Sequence, residues 1–102
     1  MINIRSIKNL KNDEGLTLKN GKKVTYKTGY QVATEGVECT APAEVMKAIK
    51  QYNGDCGIWY SNGIYYIDKS HREATKKSAL EIGRKCNQIS ILKWADMSLI
   101  YC

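Results

Sequence analysis

The sequence predicts an α+β fold: one domain over residues 1–102, a mostly antiparallel sheet of hairpins packed by two helices in the order β-β-β-α-β-β-α-β-β. Three observations predict it. Ile58-Trp59-Tyr60 and Ile64-Tyr65-Tyr66-Ile67 flank Ser61-Asn62-Gly63, and an Asn-Gly pair between strand-like runs favours the turn whose twist matches its strands. A second Asn-Gly pair, Asn20-Gly21, separates two more such runs. Two further stretches repeat apolar residues at helical spacing. A chain of 102 residues with 43% hydrophobic content suffices for one core and is too short for two.

Residues 1–14 open with Ile4, Ile7 and Leu10 at a spacing of three, which fits a short helix or a loosely docked arm, since Asn3, Asn9 and Asn12 lower helix propensity. Leu16 to Lys19 and Lys22 to Tyr26 then form a hairpin with a lysine-rich tip. Tyr30 to Thr34 alternates as a strand that ends by Gly36. Thr40-Ala41-Pro42 announces the first helix, with Thr40 as a hydroxyl cap and Pro42 in the first turn, where its missing N–H is harmless. Val45, Ala48, Ile49 and Tyr52 mark its buried stripe, and Asn53-Gly54 closes it.

In the Asn62-Gly63 hairpin a two-residue loop sets Tyr60 against Tyr65 and Ile58 against Ile67 on one face, and Trp59 against Tyr66 on the other. One face fills the core; the other is covered by a helix or left open as a contact surface. Ser70-His71-Arg72-Glu73 matches a capping box for the second helix, with Thr75 as an alternative cap. Ala79, Ile82, Gly83 and Cys86 follow the helical period and face the sheet, while Glu73, Lys77, Glu81 and Lys85 form an ion-pair ladder in water. Gln88 to Lys93 and Ser98 to Tyr101 read as the last strands, joined by a turn at Trp94-Ala95-Asp96-Met97.

Net charge is +6 and is unevenly spread. Residues 1–28 carry seven Lys or Arg against Asp13 and Glu14, residues 29–69 are net negative, and residues 70–102 are again positive. Such a distribution draws nucleic acid or an acidic protein surface, and it also describes a soluble basic domain. No apolar run approaches the length of a bilayer span and the amino terminus lacks an apolar signal core, so a cytosolic protein without a membrane partner is expected. Cys39, Cys56, Cys86 and Cys102 show no CxxC interval and His71 is the only histidine, so structural thiols and no metal are expected, with Cys102 the most exposed.

Catalysis and cofactors are not expected. His71 sits in the presumed cap of a helix, Cys56 carries no flanking nucleophile signature, and no GxGxxG or GxxxxGK[ST] loop occurs. What remains is binding. Trp59, Tyr60, Tyr65 and Tyr66 are the candidate partner-binding residues, and Lys19, Lys22, Lys23 and Lys27 the candidate contacts to nucleic acid or an acidic partner. The same aromatics are also good strand formers, and with no Phe in the chain Tyr and Trp must supply the aromatic core.

The run Gly57 to Asp68, followed by Ala79-Leu80-Glu81-Ile82-Gly83-Arg84 and Asn87-Gln88-Ile89-Ser90-Ile91, resembles small accessory proteins of bacteriophages and mobile elements. That group includes anti-CRISPR and other anti-defence proteins, typically short, single-domain, cytosolic and non-enzymatic. The resemblance implies a protein of the host cytoplasm that binds and inhibits a host defence protein or protein-RNA complex, and it assigns no residue. Anti-CRISPR proteins are frequently acidic mimics of DNA; this chain is basic, which leaves blocking by direct protein contact or by binding RNA or DNA. The alternative is a small basic nucleic-acid-binding protein. An exposed sheet edge would equally pair two copies of the chain as a homodimer.

Overall fold

The computed structural model describes residues 2–102. Among these residues the chain forms α1 (Ile4–Lys8), β1 (Glu14–Lys19), β2 (Lys22–Lys23), β3 (Tyr30–Cys39), α2 (Pro42–Gln51), β4 (Cys56–Ser61), β5 (Ile64–Glu73), α3 (Lys76–Lys85), β6 (Ser90–Lys93) and β7 (Ser98–Tyr101). All strands join one antiparallel sheet in the order β2-β1-β4-β5-β3-β6-β7. The predicted α+β class and element order are observed, with the amino-terminal segment adding a third, short helix.

Both Asn-Gly turns form as their chemistry requires. Asn20 and Gly21 have φ of 53° and 78°, and Asn62 and Gly63 have φ of 50° and 82°, the left-handed pair of a type I′ hairpin. The second turn fixes the predicted register, with Ile58 opposite Ile67, Trp59 opposite Tyr66 and Tyr60 opposite Tyr65. Residue alternation then sorts the sheet into two faces. Leu18, Cys56, Ile58, Tyr65 and Ile67 pack under α1 and α2, which contribute Ile7, Val45, Ala48, Ile49 and Tyr52. A second cluster on the same face sets Ala79 of α3 on Val32 and Ile91. Gly83 lets α3 approach, because a Cβ there would lie 2.7 Å from Cys102 Sγ and 3.4 Å from an Ile91 methyl.

All three helices therefore lie on one face. The other face bears Trp59, Tyr66, Asp68, Ser70 and Arg72; the segment between β2 and β3 crosses it at its Arg72 end, where Trp94 of the β6–β7 connection also packs. There Tyr26 meets the Trp94 ring edge-on at 5.5 Å and Arg72 lies 5.3 Å from the Tyr26 centroid.

Several predicted details are corrected. Ser70-His71-Arg72-Glu73 is strand, not a capping box: it pairs with Tyr30 to Ala33, and Thr75 caps α3 by accepting the Ser78 N–H at 3.2 Å. Glu73 accordingly leaves the helix ladder, contacting His71 and accepting the Ser78 hydroxyl. Ala41, not Thr40, is the N-cap of α2; the Glu44 carboxylate accepts both the Ala41 N–H at 3.1 Å and the Thr40 hydroxyl at 3.3 Å. The third strand runs past Gly36 to Cys39, with a bulge between Ala33 and Glu35. The turn expected at Trp94 to Met97 forms between β6 and β7, and within it the Trp94 ring is buried, 5% exposed. The four thiols are free; Cys39 and Cys56 are buried, and Cys102 is half-buried against α3.

Candidate functional site

Register across the four central strands arranges the helix-free face in rows. Gly15, Trp59, Tyr66 and Glu38 stand side by side in one row, and Thr17, Gly57, Asp68 and Gly36 in the next. The rows lie about 7 Å apart, two residues along a strand. Trp59 is 46% exposed and Tyr66 37%, whereas Tyr65 is 6% exposed. The Trp59 ring leans over Gly15, where a Cβ would come within 2.8 Å of it, so one ring side covers bare backbone while the other meets solvent.

The four candidate aromatics thus divide. Trp59 and Tyr66 share the open face. Tyr65 belongs to the core, and Tyr60 packs beside it with ring centroids 4.5 Å apart, so Tyr65 is corrected from contact residue to core residue and Tyr60 stands mainly with it. Burial pushes the Tyr65 phenol above its ordinary pKa.

The candidate lysines are all exposed but do not join the aromatic row. Lys19 and Lys22 are cross-strand partners at the far end of β1, four residues and roughly 13 Å along the strand from the Gly15 row. Lys23 opposes Leu18, which points to the helix face, and Lys27 lies in the crossing segment. The charges that stand near Trp59 and Tyr66 are acidic. Glu38 is directly across from Tyr66, and Asp68 is two residues along β5 on the same face. Asp13, at the hairpin tip, accepts the Ser61 hydroxyl at 2.7 Å.

Asp68 is distinctive. It sits low on the sheet between glycines, and burial raises its carboxyl pKa above the ordinary value. Among the described residues no donor reaches its carboxylate. Beside it a depression of about 410 Å³ is lined by Thr17, Ala33, Gly57, Ser70 and Leu92 among others. A second, of about 340 Å³, lies between Asp68, Gly36 and Tyr66. Asp68, Glu38 and the flanking glycines escape sequence reading because only the pairing of β3 with β5 brings them together.

His71 points to the opposite face, its Nε2 3.1 Å from Glu73 Oε2. Among the described residues no group of three or more His, Cys, Asp or Glu side chains stands close enough to hold a metal ion. Within the described residues no helix is long and apolar enough to cross a membrane. Comparison with protein-family models, with curated proteins and with solved structures finds no match to this chain.

Proposed function

We propose that the chain is a non-enzymatic binding protein that engages another protein through the helix-free face of its sheet, with Trp59 and Tyr66 at the centre of the contact. The supporting observation is the exposure of this cross-strand pair at the centre of the sheet, beside Tyr65, which is buried on the other face. Exposed aromatics on a rigid sheet lose little side-chain entropy when covered and commonly anchor protein contacts. The acids beside them favour a partner surface that is apolar and cationic. The finer reading, an inhibitor of a host defence protein or protein-RNA complex of the anti-CRISPR kind, draws on the sequence resemblance and places the partner in the host cytoplasm.

The nucleic-acid alternative draws on Lys19, Lys22, Lys23 and Lys27. A single-strand groove needs cations alongside the stacking rings. Here roughly 13 Å of β1 separates Lys19 from the row of Trp59, and carboxylates stand nearer. That separation favours the protein partner.

The test is affinity capture from a bacterial lysate with and without nuclease, using Trp59→Ala/Tyr66→Ala and Lys19→Glu/Lys22→Glu variants. Nuclease-resistant capture that the aromatic variant loses and the lysine variant keeps supports the reading. Nuclease-sensitive capture lost on lysine reversal replaces it with the alternative.

A further inference from the structure

Sixteen Lys and Arg residues outnumber ten acids in this chain, yet Asp68 has no cationic partner among the described residues. The nearest basic side chains are committed or point away. Arg72, on the same face, donates to Thr28 at 2.9 Å and 3.0 Å and lies over the Tyr26 ring. Lys69, next in sequence, projects to the helix face by strand alternation. A half-buried carboxylate left without a donor loses part of its solvation and gains no hydrogen bond from the fold in return.

The residues around Asp68 form a slot. Gly36 and Gly57 oppose it on either side, so the sheet falls to bare backbone there. A Cβ on Gly36 would collide with Asp68 Oδ1, which shows the carboxylate lying over that glycine; a Cβ on Gly57 would meet only Ser70 Oγ at 3.8 Å, which leaves room on that side. The Tyr66 ring walls the slot on the adjoining row, with Trp59 its cross-strand neighbour.

We propose that this slot takes an arginine side chain of the partner protein. A guanidinium is planar, pairs with a carboxylate through two parallel N–H donors and stacks on aromatic faces, so one group satisfies Asp68 and the wall together. An ammonium lacks the fork and the plane. The proposal rests on the protein-binding reading above and adds the chemistry that the partner must present.

The test is a titration of the ¹⁵N-labelled protein, followed by amide chemical shifts, with acetyl-Gly-Arg-Gly-amide and with the same peptide carrying citrulline, which keeps the shape and lacks the charge. Saturable shifts at Gly36, Gly57 and Asp68 with arginine and none with citrulline are expected. Asp68→Asn, which removes no hydrogen bond of the fold, should weaken the arginine peptide by about ten-fold or more. Equal shifts with both peptides, no saturable shift, or an unaltered affinity in Asp68→Asn overturns the slot. Partner capture that depends on Trp59 and Tyr66 but is unchanged in Asp68→Asn would remove the arginine proposal and leave the protein-binding reading standing.

Discussion

The indole N–H of Trp94 donates to Gln31 Oε1 at 3.1 Å, and the amide nitrogen of Gln31 donates in turn to Ser70 Oγ at 3.1 Å. One glutamine thereby ties the β6–β7 connection to β3 and β5 across 63 residues of sequence. A buried polar chain of this kind stabilises the fold only while every member is paired.

Replacing Gln31 with Ala leaves the Trp94 N–H and the Ser70 hydroxyl without partners, so a loss of about 1–3 kcal/mol is expected in urea denaturation. Trp94→Phe alone should fall in the same range, because the ring largely remains but the donor goes. The double variant should cost less than the two losses added, since the second change removes a group that the first has already orphaned. Simple additivity would show that the bond carries no coupling.

Gly54 ends the turn after α2 at φ +77°, and its carbonyl accepts the Gly21 N–H at 3.0 Å. A Cβ at Gly54 would run into the backbone of Asn20 and Gly21. Asp55 adds a second tie by accepting the Asn20 N–H at 2.9 Å. Gly54→Ala should therefore cost about 2 kcal/mol or more, through left-handed strain and the displaced hairpin, as read by the thermal midpoint. Gly63→Ala, at φ +82° with nothing near the position of its Cβ, should cost about 1 kcal/mol, the conformational part alone.

Cys56 is wholly buried, and burial, aided by the charges of Asp55 and Asp68, pushes its thiol from 9.0 up to about 12. Above pH 9 the unfolded chain releases this proton while the folded chain retains it. Stability is then full below pH 9 and falls as pH rises towards 12, at up to about 1.4 kcal/mol per pH unit for the one group. Cys39 is shifted in the same direction by burial, and the buried phenols of Tyr52 and Tyr65 add to the fall above pH 10. Cys56→Ala should flatten the decline of the urea midpoint between pH 9 and 10. An unchanged slope would mean that Cys56 does not titrate with unfolding.

How far this fold is legible in the sequence follows from how local each determinant is. The Asn62-Gly63 turn sets the pairing of its own strands, so the Trp59–Tyr66 row could be read from a dozen residues. The outer half of β3 could not. Glu35, Gly36, Val37 and Glu38 are all exposed on a strand that β6 accompanies only at Tyr30 and Gln31, so no burial pattern marks it. Ser70 to Glu73 carries a genuine capping motif, yet the ladder to Tyr30–Ala33 outweighs a single local cap. The Asp68 slot depends on that same ladder and on the bulge at its middle, which no local pattern announces.

The two halves of the aromatic hairpin should respond oppositely to truncation. Tyr65→Ala removes a buried ring from the core beneath α2 and should cost about 3–5 kcal/mol. Trp59→Ala uncovers Gly15 and should cost only about 1 kcal/mol, the worth of a cross-strand contact. Chemical denaturation of the two variants checks this. If Trp59→Ala unfolds the domain as Tyr65→Ala does, Trp59 is part of the core and leaves the candidate contact surface.

Asp68→Asn supplies the complementary measurement. Burial raises the Asp68 carboxyl pKa, so the folded state binds its proton more tightly than the unfolded chain does. The folded state is therefore favoured by this group below the ordinary value of 3.8, and that advantage is lost as pH rises through the folded pKa. At pH 7 the ionised group is a liability, and Asn in its place should raise stability by no more than about 1 kcal/mol, because the half-buried carboxylate keeps part of its water. Near pH 3, where Asp68 is already neutral, the gain should vanish. A variant that is more stable at pH 7 and deaf to the arginine peptide would show a carboxylate retained at the expense of stability, as binding residues often are. A variant less stable at pH 7 would mean instead that Asp68 supports the fold through its charge.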